Sequence, residues 1–283
     1  MTFQELSDRI NSLRNLPNVD TFVAGYSTLG QEILGFHIGN YDGKQIFIEG
    51  GIHAREYPAS LVVVGMAEYL SQSPPVNGGV YFVPLVNPDG ARLVLDGVNS
   101  INCLKQQEYL LNINENSQDF SQWKADIWGV DLNVNFDALW GGGAQNVFCP
   151  APGNFVGYYP DSEREVRLLI DLTYRLNPDL TLSYHTKGDV IFYGFETLTP
   201  EQIERDRVIA REISAINGYV PTITSQSTGG YSDWVSLNLE VPAFTIEVGD
   251  VSLPTPIPLE VVPRAIELNQ NVPQRLLDIL NEN

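Results

Sequence analysis

The stretch IFIEGGIHAREY, Ile46 to Tyr57, reads as an apolar strand that runs into a glycine turn and presents His53 and Glu56. A short β run closed by Gly50-Gly51 places the following residues at the carboxyl end of a strand, where open α/β sheets form their binding crevices. His-x-x-Glu at that place offers an imidazole nitrogen and a carboxylate oxygen, both ligands that zinc accepts. The chain has three histidines, so partners for such a pair are few. His185, in LTLSYHTKG, again closes an apolar run, Leu180 to Tyr184, and is followed by Gly188. Two histidines and one carboxylate leave a fourth tetrahedral position for water, as hydrolytic zinc requires. His37, in EILGFHIGN, has apolar neighbours on a strand-like run and is expected to be an ordinary strand histidine.

Outward from this turn the pattern alternates. Thr2 to Leu13 carries Phe3, Leu6, Ile10 and Leu13 at helical spacing, and short β runs follow at Thr21–Gly25, Ile33–Gly39 and Gln45–Gly50. Pro58 to Leu70 is an apolar helix with proline in its first turn. Val80 to Gly90 reads as a buried strand broken by the turn sequence Asn87-Pro88-Asp89-Gly90. From Leu95 to Trp128 Asn, Gln and Ser predominate, which predicts a long irregular excursion, and Gly129 to Gly143 reads as a short strand and a glycine-rich turn. Ser162 to Leu176 is a helix with a capping box of Ser162 and Glu165, Pro200 to Asn217 a helix ended by Gly218, and Val241 to Gly249 a buried strand. Helical spacing returns from Leu259 to Leu280. Strands alternating with helices predict a three-layer α/β/α sandwich around a mixed, twisted sheet, and no linker-like tract divides residues 1–283 into more than one domain.

Glu247 is read as the one acid inside an otherwise apolar strand. A buried carboxylate there is costly without a partner or a task, and the task that fits is that of a general base beside a metal. The net charge of −19 argues against nucleic acid or an anionic membrane surface as partner. The N-terminal MTFQELSDRINSL has no basic start and apolar core of a leader, no run reaches transmembrane length, and two cysteines, Cys103 and Cys149, fit a reducing interior. A cytoplasmic protein is the expectation, with oligomeric state left open.

Taken in order, His53-x-x-Glu56, NPDG at 87–90, GVDLNVNF at 129–136, the YHTKG histidine, GGYSDW at 229–234 and TIEVG at 245–249 resemble the zinc carboxypeptidase superfamily, peptidase family M14. The resemblance implies one zinc ion per chain held by His53, Glu56 and His185, Glu247 as general base, and Tyr231 as the mobile tyrosine that closes over substrate. The chain departs from the pattern at Asn133-Val134, where the family carries Asn-Arg and uses the arginine to grip a terminal carboxylate. A second family arginine is also missing, and Lys124 stands in the region where it is expected.

With HTKG and FDALWGGG, these departures make the chain more similar to the branch of γ-D-glutamyl-diaminopimelate peptidases, which implies a small cell-wall stem peptide as substrate. Asn133, Lys187 and Arg92 are then candidates for holding it, and Lys124 for supporting the reacting carbonyl. Three alternatives stay open at this point: a conventional metallocarboxypeptidase, an amidohydrolase of the deacylase branch, and an inactive module that binds peptides or glycans.

Overall fold

The computed structural model describes residues 1–224 and 227–282. Its centre is an eight-stranded mixed sheet in the order β1-β2-β4-β3-β5-β8-β6-β7. The strands are β1 (Asp20–Tyr26), β2 (Glu32–Gly39), β3 (Gln45–Gly50), β4 (Gly79–Val83), β5 (Leu180–His185), β6 (Val190–Tyr193), β7 (Val220–Ile223) and β8 (Ala243–Glu247). The helices are α1 (Phe3–Asn11), α2 (Tyr57–Ser71), α3 (Pro88–Asp96), α4 (Leu104–Ile113), α5 (Arg164–Leu176), α6 (Pro200–Asn217), α7 (Tyr231–Leu239), α8 (Val262–Asn269) and α9 (Val272–Glu282).

Strand alternation sends Ile46 and Ile48 of β3, Leu180 and Leu182 of β5, and Phe244 and Ile246 of β8 into one core with α1, α2, α6, α8 and α9. Phe47 and Ala243 face the other way, into a second core with α5 and α7. Two helical layers thus cover the sheet, and it is the expected three-layer sandwich. Helix α2 has nearly every residue buried, because it lies between the sheet and α8. Each large apolar side chain enclosed there contributes about 1.5–3 kcal/mol. No helix among the described residues is long and apolar enough to cross a membrane.

The three central strands β3, β5 and β8 run parallel, so their carboxyl ends share one edge. His185 is the register partner of Glu247 across β5 and β8. The turn after β3 leaves the same edge through Gly51, whose φ is +64° and whose added Cβ would lie 2.4 Å from Ser60 Oγ. A side chain at Gly51 would push apart the turn that carries His53.

Several local expectations change. Asn87-Pro88-Asp89-Gly90 starts α3: the Asn87 side chain caps Gly90 N–H at 2.9 Å, and Pro88 fills the first helical turn. The region from Leu95 to Trp128 contains α4, and its Leu110, Phe120 and Trp123 join Leu93 and Ala54 in a small core; residues 114–128 have no helix or strand, as expected, yet are packed as a wall. Its helical signal was masked by polar residues on the solvent side. Gly129 to Gly143 has a short 3-10 turn at Leu132–Val134 and no strand. The Ser162/Glu165 box does not form: the N-cap is Glu163, and Glu165 turns instead to accept Thr28 N–H at 2.7 Å.

Candidate active site

The sheet edge gathers His53, Glu56 and His185 into one cluster. His53 Nδ1 lies 3.1 Å from His185 Nδ1 and 3.0 Å from Glu56 Oε1, while His185 Nδ1 lies 3.0 Å from Glu56 Oε2. All three side chains are buried. Two imidazole nitrogens aimed at each other and at a carboxylate, in a buried place, form a poor hydrogen-bonded group: two neutral rings and one acid supply too few protons for all these contacts. The same atoms converge as the donors of a single divalent cation, and the N/O set is one that zinc accepts. The residues present therefore fit zinc.

Behind the cluster stands Asp131, fully buried, which the sequence reading left without a role. Its Oδ1 lies 3.2 Å from His53 Nε2 and accepts Asn133 N–H at 3.2 Å; its Oδ2 takes Lys124 Nζ at 2.9 Å and Asn154 N–H at 2.9 Å. Burial by itself would raise the Asp131 carboxyl, but the Lys124 ammonium and His53 outweigh it and hold it below the ordinary carboxylate range. Burial likewise opposes charge on Lys124, and the carboxylates of Asp131 and Glu56 more than offset it. For His53, burial is again the largest influence and opposes charge, while Glu56 leads the groups that raise it. A carboxylate holding the far nitrogen of a metal-ligating imidazole sets its tautomer and its orientation.

Glu247 faces a cavity of about 430 Å³ that His53, Lys124, Asn133, Val134 and His185 also line. Its Oε2 is enclosed and has no hydrogen-bond partner. Burial, with Glu56 adding to it, pushes the Glu247 carboxyl up to about 7 against the pull of His185, Lys124 and Arg55. A bound cation would draw it down. A carboxylate on the cavity wall with an oxygen free of other bonds is able to take and return a proton near neutral pH.

The remaining candidates divide. Lys124 and Asn133 lie on the cavity wall. Tyr231 does not: it is wholly buried, its hydroxyl is 2.8 Å from Thr173 Oγ1, and its ring meets Phe47 edge-on at 6.1 Å. As the first residue of α7 it points into the core, so the substrate-closing role is corrected; what it brings to the site is its backbone N–H, donated to Asn133 Oδ1 at 2.9 Å. Gly229, with φ +83° and an added Cβ only 2.7 Å from Val134 O, lets this turn press against the 133–134 segment. Arg92 is corrected too: it lies on α3 with its guanidinium 5.6 Å from the Phe3 ring centroid, away from the cavity. Lys187 does not line the cavity either; its charge acts on Asp250, a carboxyl held low chiefly by Ser252.

Besides Asp131, two charged residues near the site escaped the sequence reading. Arg55, between the two ligands of the first motif, donates to Gln122 O at 3.1 Å and acts on both Glu247 and Lys124. Glu49 is a second acid inside an apolar strand, so Glu247 is not alone in that respect. The signal that singled out Glu247 was present at Glu49 and at Asp131 as well.

Comparison with known proteins agrees with this geometry. The family model described as zinc carboxypeptidase, of peptidase family M14, matches residues 10–263. Gamma-D-glutamyl-L-diamino acid endopeptidase 1 of Lysinibacillus sphaericus is 34% identical over 272 residues, covering 89% of this chain and 67% of that protein. Among solved structures, bovine thrombin-activatable fibrinolysis inhibitor in complex with tick carboxypeptidase inhibitor superposes with a TM-score of 0.75 at 18% identity, covering 100% of this chain and 98% of that one. The murein-tripeptide amidase of Escherichia coli O157 gives 0.59 at 20% identity, covering 94% of each chain. With the cluster of His53, Glu56 and His185, a free carboxylate and this sheet topology in place, the chain belongs to the M14 zinc carboxypeptidase family and is a metallopeptidase.

Proposed function

We propose that this peptidase hydrolyses the γ-D-glutamyl bond to the diamino acid in cell-wall stem peptides, with zinc held by His53 Nδ1, His185 Nδ1 and Glu56. The observation that carries this reading is the cavity wall. Where a C-terminal carboxylate would need a guanidinium, the wall presents Val134; among the described residues lining the cavity no arginine occurs, and Lys124 is the one lysine. That lysine is already paired with Asp131. The rest of the wall mixes amides and hydroxyls, including Gln145, Asn146, Asn154 and Thr245, with apolar Phe192, Ile223 and Ala243 and the carboxyl group of Asp233. Such a wall suits a peptide that is polar along its length better than one gripped by its terminus. The name and 34% identity of the Lysinibacillus sphaericus relative support the same substrate.

Held by His53, Glu56 and His185, zinc would supply Lewis acidity toward a water and the amide carbonyl. Glu247 takes the proton from the attacking water and hands it to the departing amine. Lys124, held by Asp131, faces the cavity with a positive charge that supports the carbonyl oxygen as negative charge develops there. Asn133, fixed by the Tyr231 N–H, offers its amide group to the peptide. Exposed, unpaired Cys103 and Cys149 support a reducing compartment such as the cytoplasm as the place of reaction.

Mass spectrometry of the zinc-loaded protein incubated with L-Ala-γ-D-Glu-meso-diaminopimelate-D-Ala tests the proposal. Release of L-Ala-D-Glu is expected. Loss of D-Ala alone, or no cleavage of any stem peptide, overturns it.

A further inference from the structure

Beneath the candidate ligands lies a buried acid that the mechanism above does not use. Glu49 of β3, Ser183 of β5 and Thr245 of β8 are register partners across the three parallel strands. Glu49 and Ser183 are both enclosed, and the Ser183 hydroxyl donates to Glu49 Oε1 in a short hydrogen bond. Residues two apart on a strand share a face, so Ser183 and His185 point the same way, and the bond to Ser183 holds the Glu49 carboxyl on that face.

The other carboxyl oxygen, Glu49 Oε2, is buried without a hydrogen-bond partner. So is His185 Nε2. With Nδ1 turned toward the cluster as a ligand, the His185 ring carries its hydrogen on Nε2, which is therefore a buried donor lacking an acceptor. Glu49 Oε2 is a buried acceptor lacking a donor. Burial raises the Glu49 carboxyl, and among the groups that oppose this His185 acts most strongly, ahead of Ser183 and His53. Unpaired buried polar atoms are costly, and a single enclosed water bridging the two would satisfy both.

We propose that Glu49 is the positioning residue of His185, holding its Nε2–H through an enclosed water as Asp131 holds His53, so that each imidazole ligand has its own carboxyl group behind it. The inference rests on the reading of His53, Glu56 and His185 as a zinc site. It gives the otherwise unexplained burial of an acid in β3 a purpose: setting the tautomer and aim of a ligand that comes from a different strand.

The test is zinc affinity, measured by competition with a chromophoric chelator, together with the visible spectrum of the cobalt-substituted protein and the melting temperature without metal. Glu49→Ala is expected to weaken zinc binding about 10–100-fold and to change the cobalt spectrum. Glu49→Gln, which keeps a carbonyl oxygen at the place, is expected to recover most of the affinity. Ser183→Ala, which frees the carboxyl group to turn, is expected to fall between them. A Glu49→Ala protein with wild-type affinity and spectrum, whatever its melting temperature, overturns the inference; should that variant not fold, a Ser183→Ala protein with wild-type affinity and spectrum overturns it instead. A wild-type protein that binds no zinc refutes the metal site itself, and the inference with it.

Discussion

Asp131→Asn is the substitution that most directly probes how the ligand cluster is held. The side chain keeps its shape but loses its charge and one of two acceptor oxygens. Asp131 takes the Lys124 ammonium and Asn154 N–H on one oxygen and Asn133 N–H on the other, which also lies 3.2 Å from His53 Nε2. Asparagine can serve only one of these pairs, and its amide hydrogens then face the donors of the other. Removing one partner of a buried ion pair destabilises by about 3–5 kcal/mol, and the 20% exposure left to the Lys124 side chain puts the expected loss near the low end, about 3 kcal/mol. Zinc affinity should fall about 10–100-fold through the loosened His53, which corresponds to about 1.4–2.7 kcal/mol.

Urea denaturation of the metal-free protein reads the first quantity and chelator competition the second. The dependence on pH has a definite sign. The folded-state pKa of Asp131 is depressed, so the stability it contributes is present above its unfolded value near about 4 and is lost only as pH falls through the lower folded value. The gap between wild type and variant should therefore be complete at pH 7 and narrow only in strong acid. An Asp131→Asn protein that matches wild type in both unfolding free energy and zinc affinity would refute the outer carboxylate as a support of His53 and Lys124.

Glu247→Gln should lower kcat by about 10²–10⁴-fold while zinc stays bound with wild-type stoichiometry; retained turnover would remove Glu247 as the general base. Activity should rise with pH as Glu247 loses its proton, and Lys124→Met should move that rise to higher pH, because Lys124 is one of the charges that favour the Glu247 carboxylate; an unmoved or lowered midpoint in the pH dependence of kcat/KM would contradict this. Glu165 and Asp233 are both pushed up to about 7 by burial, so the folded state holds protons that the unfolded chain has already released. Unfolding free energy of the metal-free protein should accordingly fall as pH rises from about 5 to 8, and Glu165→Gln should flatten that slope in urea titrations at fixed temperature.

Much of the scaffold was legible in the residues because its causes are local. The β runs at Ile33–Gly39 and Gln45–Gly50 were placed within a residue or so, and Gly218 ends α6 in the left-handed conformation as expected. Where local signals mislead, a neighbour far along the chain has won. Glu165 leaves its expected cap to accept from Thr28, and Asn87-Pro88, a turn signal by itself, starts a helix because the following residues pack behind the site. Tyr231 follows two glycines, as a mobile loop residue would, yet α7 draws its ring into the core between Phe47 and Trp234.

The sequence by itself determined the alternation of strands and helices and singled out His53, Glu56 and His185 as candidate ligands, since hydrophobic period, turn residues and the scarcity of histidine act within a few positions. It also carried the acids Glu49, Asp131 and Glu247, each between apolar neighbours, without distinguishing their tasks. Only the tertiary structure decided those. Parallel register sets Glu247 beside His185 and Glu49 beneath it, the turn at Asp131 reaches His53 and Lys124, and α3 carries Arg92 away from the cavity. The physical reason is that a buried charge is defined by its partners, and here those partners come from separate strands and loops that only sheet register and packing bring together.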